Sequence, residues 1–286
     1  MTFQDPFQLR KTAWPRHPVV ISVPHAGRNY PPEMQALSRL SAHELVSLED
    51  RYADALVGTA SAAGFSTITA QTPRAWIDLN RGETEYDPSF VDGRHIGHPM
   101  VTAKVRGGLG IIPSRISPGQ DIWKRRIDAA AFEARLSGHY RPYHTALSTM
   151  LSTSLSDFGI AILIDIHSMP PISPRDESPA AQLVIGDLFG KSSDARFTDI
   201  VRARAEQAGL EVAVNVPYAG GHILARHSSK ARNIHALQIE IDRSLYLDDA
   251  RDKTSLGLAT IQRLILNIAN DISATALSPA IAIAAE

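Results

Sequence analysis

The chain has 286 residues, 29 basic and 30 acidic side chains, and no cysteine. The charge balance sets aside the basic footprint of a nucleic-acid or acidic-membrane binder, and the lack of thiols rules out a disulfide framework and leaves His, Asp and Glu to hold any metal. No apolar run is long enough to cross a bilayer, and the first residues lack the apolar segment of a secretory signal, so a cytoplasmic protein with no membrane partner is expected.

In chain order, the first buried-strand signal is PVVISVP (18–24), which ends at His25. A helical pattern follows over 41–63, opened by Ser41 and, three residues on, Glu44, which is the spacing of a capping box. The stretches STITAQ (66–71) and AWIDLN (75–80) read as strands, the second running into Asn80 and Arg81. Residues 82–119 are rich in Gly and Pro and predict an irregular active-site loop or lid. A helix is expected over 121–155, broken near Gly138 and Pro142. Further strands are expected at IAILIDIH (160–167), QLVIGDL (182–188), EVAVNVP (211–217) and ALQIEID (236–242), with helices at 197–208 and 253–272. The tail 273–286, rich in Ala, Ile and Ser, reads as a frayed end or a partner contact.

Most of the strand signals are continuous rather than alternating, so both faces should be covered. Strands alternating with helices predict an α/β chain, a three-layer αβα arrangement around a mixed, largely parallel sheet. No repeat or linker divides it, and 1–286 reads as a single catalytic domain.

In open α/β sheets, ligands collect at the C-terminal ends of the strands. His25, Asn80-Arg81, His167 and Glu240 all fall at such ends. His25 and His167 are candidate metal ligands; a catalytic zinc commonly takes a third protein ligand, and Glu49, Asp50 and Asp54 in LEDRYAD compete for that place. Asp50 and Asp54, four apart, are expected to share a helix face. Against this stands the ordinary reading that either histidine is a structural residue, since the chain has 11 of them. Glu240 lies between Ile239 and Ile241; it is either a salt-bridged strand end, with Arg243 as partner, or a general base with a shifted pKa. Asp242 is expected on the other side of the strand. Asn80 and Arg81, helped by Arg74, form a candidate carboxylate clamp; the alternative for Arg81 is an ion pair with Asp78 or Glu83. Gly220, Gly221 and His222 in PYAGGH make either a tight turn or a close approach to a ligand.

The ordered set VPHAGRNYP (23–31), EDRYAD (49–54), PRAWIDLNRGE (73–83), GLGIIP (108–113), YRPYHTAL (140–147), IDIHSMP (164–170), PYAGGHI (217–223) and ALQIEIDRSLY (236–246) resembles the N-formylglutamate amidohydrolase family and covers most of the chain. The resemblance implies a fold like that of the zinc carboxypeptidases (phosphorylase/hydrolase-like) and hydrolysis of N-formyl-L-glutamate to formate and glutamate, a late step of histidine degradation. It implies zinc on His25, Asp50 and His167, Glu240 as base, and a small-molecule substrate held by Arg74, Asn80, Arg81, Gly220, Gly221 and His222. The chain departs from the carboxypeptidase pattern at Arg28, where a glutamate would follow His25, and from the family at His222, where an aromatic is common. Two other readings are a deacylase of different acyl or amino-acid preference and a carboxylate-binding protein without catalysis.

Overall fold

The computed structural model describes residues 5–10, 16–173 and 180–278. Seven strands, β1 (Phe7–Arg10), β2 (Val19–Val23), β3 (Ser66–Ala70), β4 (Ala161–Met169), β5 (Leu183–Gly186), β6 (Val212–Val214) and β7 (Ile234–Asp242), form one sheet in the order β1-β3-β2-β4-β7-β5-β6. The four central strands β3, β2, β4 and β7 are parallel. β1 joins one edge antiparallel to β3; β5 joins β7 antiparallel, with β6 parallel to β5. The mixed, largely parallel αβα arrangement is therefore as expected from the sequence.

The strand period of two sorts the side chains between two cores. Val19, Ile21, Val23, Ile162, Ile164, Ile166, Leu237, Ile239 and Ile241 pack with the helices Ala195–Gln207 and Leu258–Leu277. The opposite face starts apolar, with Val20, Ala161, Leu163 and Ala236 against the helix Arg141–Phe158. Toward the C-terminal ends this second face turns polar: Ser22, Asp165 and Gln238 are register partners across three strands, and His167 and Glu240 pair one step further on. All five are buried. A polar row of this kind costs stability unless each group is paired, which marks where the chemistry collects.

Several expected elements change form. The helix expected over 41–63 starts at the capping box of Ser41 and Glu44 but breaks into the short pieces Ala42–Leu45, Val46–Leu48, Ala53–Leu56 and Gly58–Ala62. At the break Asp50 donates its backbone N–H to the His25 carbonyl (3.0 Å), and Tyr52 takes φ 57°. AWIDLN is not a strand. Its backbone turns on Pro73, and Asp78 N–H bonds the carbonyl of Ile111. Ala75, Ile77 and Leu79 are buried by packing over the sheet, and Asp78 and Asn80 are buried with them, without a ladder.

The helix expected over 121–155 begins only at Ala129, capped by Asp128; Leu136–Tyr140 is a π-helical turn through Gly138, and Pro142 sits in the first turn of Arg141–Phe158, where its missing N–H costs little. The 82–119 segment is irregular apart from Ala103–Arg106, yet Tyr86, Val91, Val105, Ile111 and Ile112 are buried. It is thus built into the core rather than laid over it. The final helix runs to Leu277 with Ser273 buried, so the frayed tail does not begin at 273; residues 279–286 lie outside the described part.

Candidate active site

β2, β4 and β7 are neighbours and parallel, so their C-terminal ends meet at one edge. His25 follows β2 directly, while His167 and Glu240 lie inside β4 and β7. The broken 41–63 segment brings Asp50 to the same point. Asp50 Oδ2 is 3.0 Å from His167 Nδ1 and 3.6 Å from His25 Nδ1, and the imidazole centroids are 4.8 Å apart.

The far nitrogens of both rings meet carboxylates. His25 Nε2 donates to Asp78 Oδ1 (2.8 Å) and His167 Nε2 to Asp165 Oδ2 (2.9 Å). A carboxylate only accepts, so each Nε2 carries its hydrogen and each Nδ1 faces Asp50. This is the carboxylate–histidine arrangement that orients ligands at metal sites. Both carboxylates are held in turn. Asp165 accepts from Ser22 Oγ (2.7 Å), which contacts the Tyr143 hydroxyl (2.8 Å). Asp78 accepts from Arg74 Nε (2.9 Å) and the Asn80 N–H (2.8 Å). Burial would raise the Asp78 carboxyl, but Arg74 and Arg81 hold it well below the usual carboxylate range.

These residues fit a divalent metal. His25 Nδ1 is buried with no hydrogen-bond partner among the described residues, and the three donor atoms all lie within 4.8 Å of one another. Ligands at zinc bond lengths of about 2.0–2.1 Å in a tetrahedron stand roughly 3.3 Å apart, and Asp50 Oδ2 lies 3.0 and 3.6 Å from the two imidazole nitrogens. The other acids offered by the sequence face elsewhere. Glu49 accepts from Tyr30 Oη (2.6 Å) and Arg51 Nη1 (2.9 Å), and Asp54 forms a two-pronged pair with Arg28 (2.7 and 2.8 Å). Asp50 and Asp54 share no helix face, because the helix breaks between them.

Glu240 is the register partner of His167. Its Oε1 accepts from Gln238 Nε2 (2.9 Å). Burial is the main cause of a pKa pushed up to about 7, with His167 opposing and Asp50 adding to the rise. Arg243 does not pair with Glu240; it donates to Asp50 Oδ1 (3.2 Å) and to Ser168. Nor does Asp242 lie across the strand, since residues two apart share a side; its carboxylate turns onto the N–H and hydroxyl of Ser244 (2.8 Å each).

The expected clamp residues are spread along one wall. Arg81 is almost fully buried, with Nε on the Leu109 carbonyl (2.9 Å), Nη1 on the Asn80 carbonyl (2.6 Å) and Nη2 3.8 Å from Asp78. Arg74 spends only Nε on Asp78, so its terminal nitrogens are the freer pair. Asn80 Oδ1 accepts from the Ile223 N–H (2.8 Å), and its Nδ2 lies 3.5 Å from Gln238 Oε1. Gly221 is what admits Asn80, as a Cβ there would stand 2.4 Å from its Oδ1. Gly220 (φ +114°) is a turn position closed to a side chain by Leu224. His222 Nε2 is buried and without a partner among the described residues.

The sequence reading missed Asp78 as a histidine partner and Arg243 as the support of Asp50. Asp165 inside an otherwise apolar run was the one visible signal of this kind.

A metal-capable donor group, a buried glutamate beside it and a cationic wall are the equipment of an amide hydrolase. The chain is a hydrolase of that class, acting on a linear amide, and it belongs to the N-formylglutamate amidohydrolase family, whose profile matches residues 17–247. It is 27% identical over 245 residues to the N-formylglutamate deformylase of Pseudomonas putida, covering 84% of this chain and 85% of that one. The crystal structure of N-formylglutamate amidohydrolase from Ralstonia eutropha JMP134 is similar at 30% identity and TM-score 0.88, over 96% of this chain and 99% of that one. A gene product from Agrobacterium tumefaciens shares the fold at 21% identity and TM-score 0.70, over 95% and 96% of the two chains.

Proposed function

We propose that this chain removes the formyl group from N-formyl-L-glutamate, giving formate and L-glutamate, with a zinc ion held by His25, Asp50 and His167. The observation that carries the metal is the shared aim of two Nε2-protonated imidazoles at one carboxylate oxygen. When bound, zinc polarises an amide carbonyl and makes water more acidic.

Glu240 acts as the base. Its pKa near 7 matches the operating pH of an acid–base group, and with Oε1 on Gln238 its Oε2 is left to take a proton from the attacking water. The same carboxyl then returns the proton to the departing amine nitrogen. Arg243 keeps Asp50 aimed by holding its second oxygen. Arg74 and Arg81 attract the carboxylates of the substrate, which converts binding into positioning; Asn80 and Gly221 lock that wall onto β7 and the His222–His227 helix. His222 and Gly220 border the same space. A carboxylate-binding protein needs neither the histidine pair nor a buried glutamate, which favours catalysis. One catalytic unit, a cytoplasmic location and the absence of a nucleic-acid partner belong to the same proposal; among the described residues no helix is long and apolar enough to cross a membrane.

The deciding experiment is a panel of N-formyl, N-acetyl and N-succinyl amino acids, assayed for amine release after chelation and after zinc is restored. Fastest zinc-restored release from N-formyl-L-glutamate is expected. Preference for another acyl group moves the chain to a different deacylase specificity; release unaffected by chelation removes the metal.

A further inference from the structure

Asn80 lies where the resemblance places half of a carboxylate clamp, but its hydrogen bonds run into the protein. Its backbone N–H goes to Asp78 Oδ1 (2.8 Å), and its backbone carbonyl accepts from Arg81 Nη1 (2.6 Å). The side chain is buried, and none of its polar atoms is buried without a partner among the described residues.

The direction of the Asn80 amide is fixed at one end. The Ile223 N–H only donates, so the atom it meets at 2.8 Å is Oδ1. Nδ2 is therefore turned the other way, 3.5 Å from Gln238 Oε1 and 3.3 Å from His167 Nε2. His167 Nε2 carries the hydrogen that it gives to Asp165, which leaves Gln238 Oε1 as the acceptor. With its oxygen on Asn80, Gln238 turns Nε2 to Glu240 Oε1 (2.9 Å). A carboxylate only accepts, so the Gln238 amide is set to the same direction from this end too.

Three hydrogen bonds thus run one way, from the backbone of the His222–His227 helix through Asn80 and Gln238 to Glu240. Gln238 and Glu240 stand two apart on β7 and share a side of the strand, which brings the amide onto the carboxylate. Gly221 lets Asn80 lie flat against the turn, since a Cβ there would stand 2.4 to 2.6 Å from three atoms of the Asn80 amide. Asn80, Gln238 and Glu240 are all buried. Turning either amide round would set oxygen against oxygen in a site of low dielectric, where an unpaired polar group is costly.

We propose that Asn80 and Gln238 are positioning residues for the base: they hold Glu240 Oε1 so that Oε2 meets the attacking water, and Asn80 does not bind the substrate carboxylate. This rests on the proposed N-formylglutamate reaction and deepens it, moving Asn80 from the clamp to the base and leaving carboxylate recognition to the arginines.

Two measurements test it. In the first, zinc-loaded wild type, Gln238→Met and Asn80→Leu are assayed on N-formyl-L-glutamate. Both variants should lose kcat about 10–100-fold, the scale of a small misplacement of a reacting group, with KM within about twofold. A raised KM in Asn80→Leu returns that residue to the clamp, and an unchanged kcat in Gln238→Met overturns the positioning role. A general loosening of the site is told apart by combination: Gln238→Met added to Glu240→Gln should cost little further kcat, because residues acting through one another are not additive. A full further loss overturns the proposal. In the second, crystal structures of zinc-loaded wild type and Gln238→Met are compared. The Glu240 carboxylate should leave its wild-type position in the variant, and an unmoved carboxylate overturns the proposal. If wild type hydrolyses no N-formyl amino acid, the proposed reaction fails, and the crystal comparison still decides whether Gln238 sets the place of Glu240.

Discussion

Two pairs of buried histidines lie in this molecule, and they behave in opposite ways. His25 and His167 stand at the strand ends with Asp78, Asp165 and Asp50 around them. His144 and His227 stack 5.2 Å apart between helices, His144 with one nitrogen toward the Leu79 carbonyl (3.0 Å), its other 2.8 Å from His227, and Ser148 3.3 Å behind. Burial disfavours charge on His167, yet Asp165 and Asp50 hold it well above the usual histidine range. Burial, then His227 and Arg226, hold His144 well below that range, and His227 is pushed down to about 3. The side chain is the same, and so is the depth. What differs is what the far nitrogen meets: a carboxylate draws positive charge to the ring, while a carbonyl and a second imidazole fix it neutral. The first pair is equipped for a cation and the second for packing.

The largest effect expected on this comparison comes from Glu240, which has no counterpart beside the second pair. Glu240→Gln keeps the shape and removes the proton acceptor. kcat should fall roughly 10²–10⁴-fold, with zinc content by elemental analysis unchanged. Near-normal turnover in the loaded variant removes Glu240 from the reaction, and loss of zinc recasts it as a ligand.

Next is the carboxylate behind a ring. Asp165→Asn lets the amide present its NH₂ to His167 Nε2, which favours the wrong tautomer. Zinc affinity, measured by competition with a chromophoric chelator, should drop about 10–100-fold, the usual cost of losing such support. Asp78→Asn should act likewise on His25. Wild-type affinity in both would show that the histidines need no orienting, and the contrast between the pairs would lose its functional meaning.

How far the sequence reveals this contrast depends on how local each feature is. The strands ending at His25, His167 and Glu240 were readable, because runs such as VVISV and ILIDI can only be buried on both faces. β1 was not, since FQLR is an edge strand with three exposed residues and no apolar run. AWIDLN misled because a short apolar run packed over a sheet reads the same as one paired within it. Asp50 stood among three acids, and what separates them is a helix break pinned to the His25 carbonyl, a contact between distant parts of the chain. Asp78 and Arg243 reach the site only through that assembled geometry. Nothing local distinguishes His144 from His167 either; both are histidines inside apolar patterns, and only the carboxylates brought up from other elements tell them apart.

A smaller effect should come from the second pair itself. His144→Phe fills the space but leaves the Leu79 carbonyl and a His227 nitrogen unpaired. The cost should be about 1–3 kcal/mol for each buried group left unsatisfied, read by denaturant unfolding of the zinc-loaded protein. Zinc affinity should stay within about twofold. If zinc affinity falls together with stability, the two pairs are coupled and the separation drawn above is wrong.

The smallest expected effect is in pH dependence, and its sign follows from the shifts. His144 and His227 have folded-state pKa values below the unfolded value of about 6.5. As pH falls through 6.5 the unfolded chain takes up protons that the folded one refuses, so stability drops until the folded pKa is reached. Linkage makes this about 0.7 kcal/mol per histidine between pH 7 and pH 6. His167 acts in reverse in chelated protein: its raised pKa gives a contribution present below the unfolded value and lost as pH rises through the folded one. Wild type and His144→Phe should therefore be compared in the same metal state, where the His167 contribution cancels. The variant has one refusing histidine fewer, so its loss of stability between pH 7 and pH 6 should be smaller by about 0.7 kcal/mol. Parallel pH curves for the two proteins would mean that His144 accepts a proton in the folded state, and that burial between helices does not hold this pair neutral.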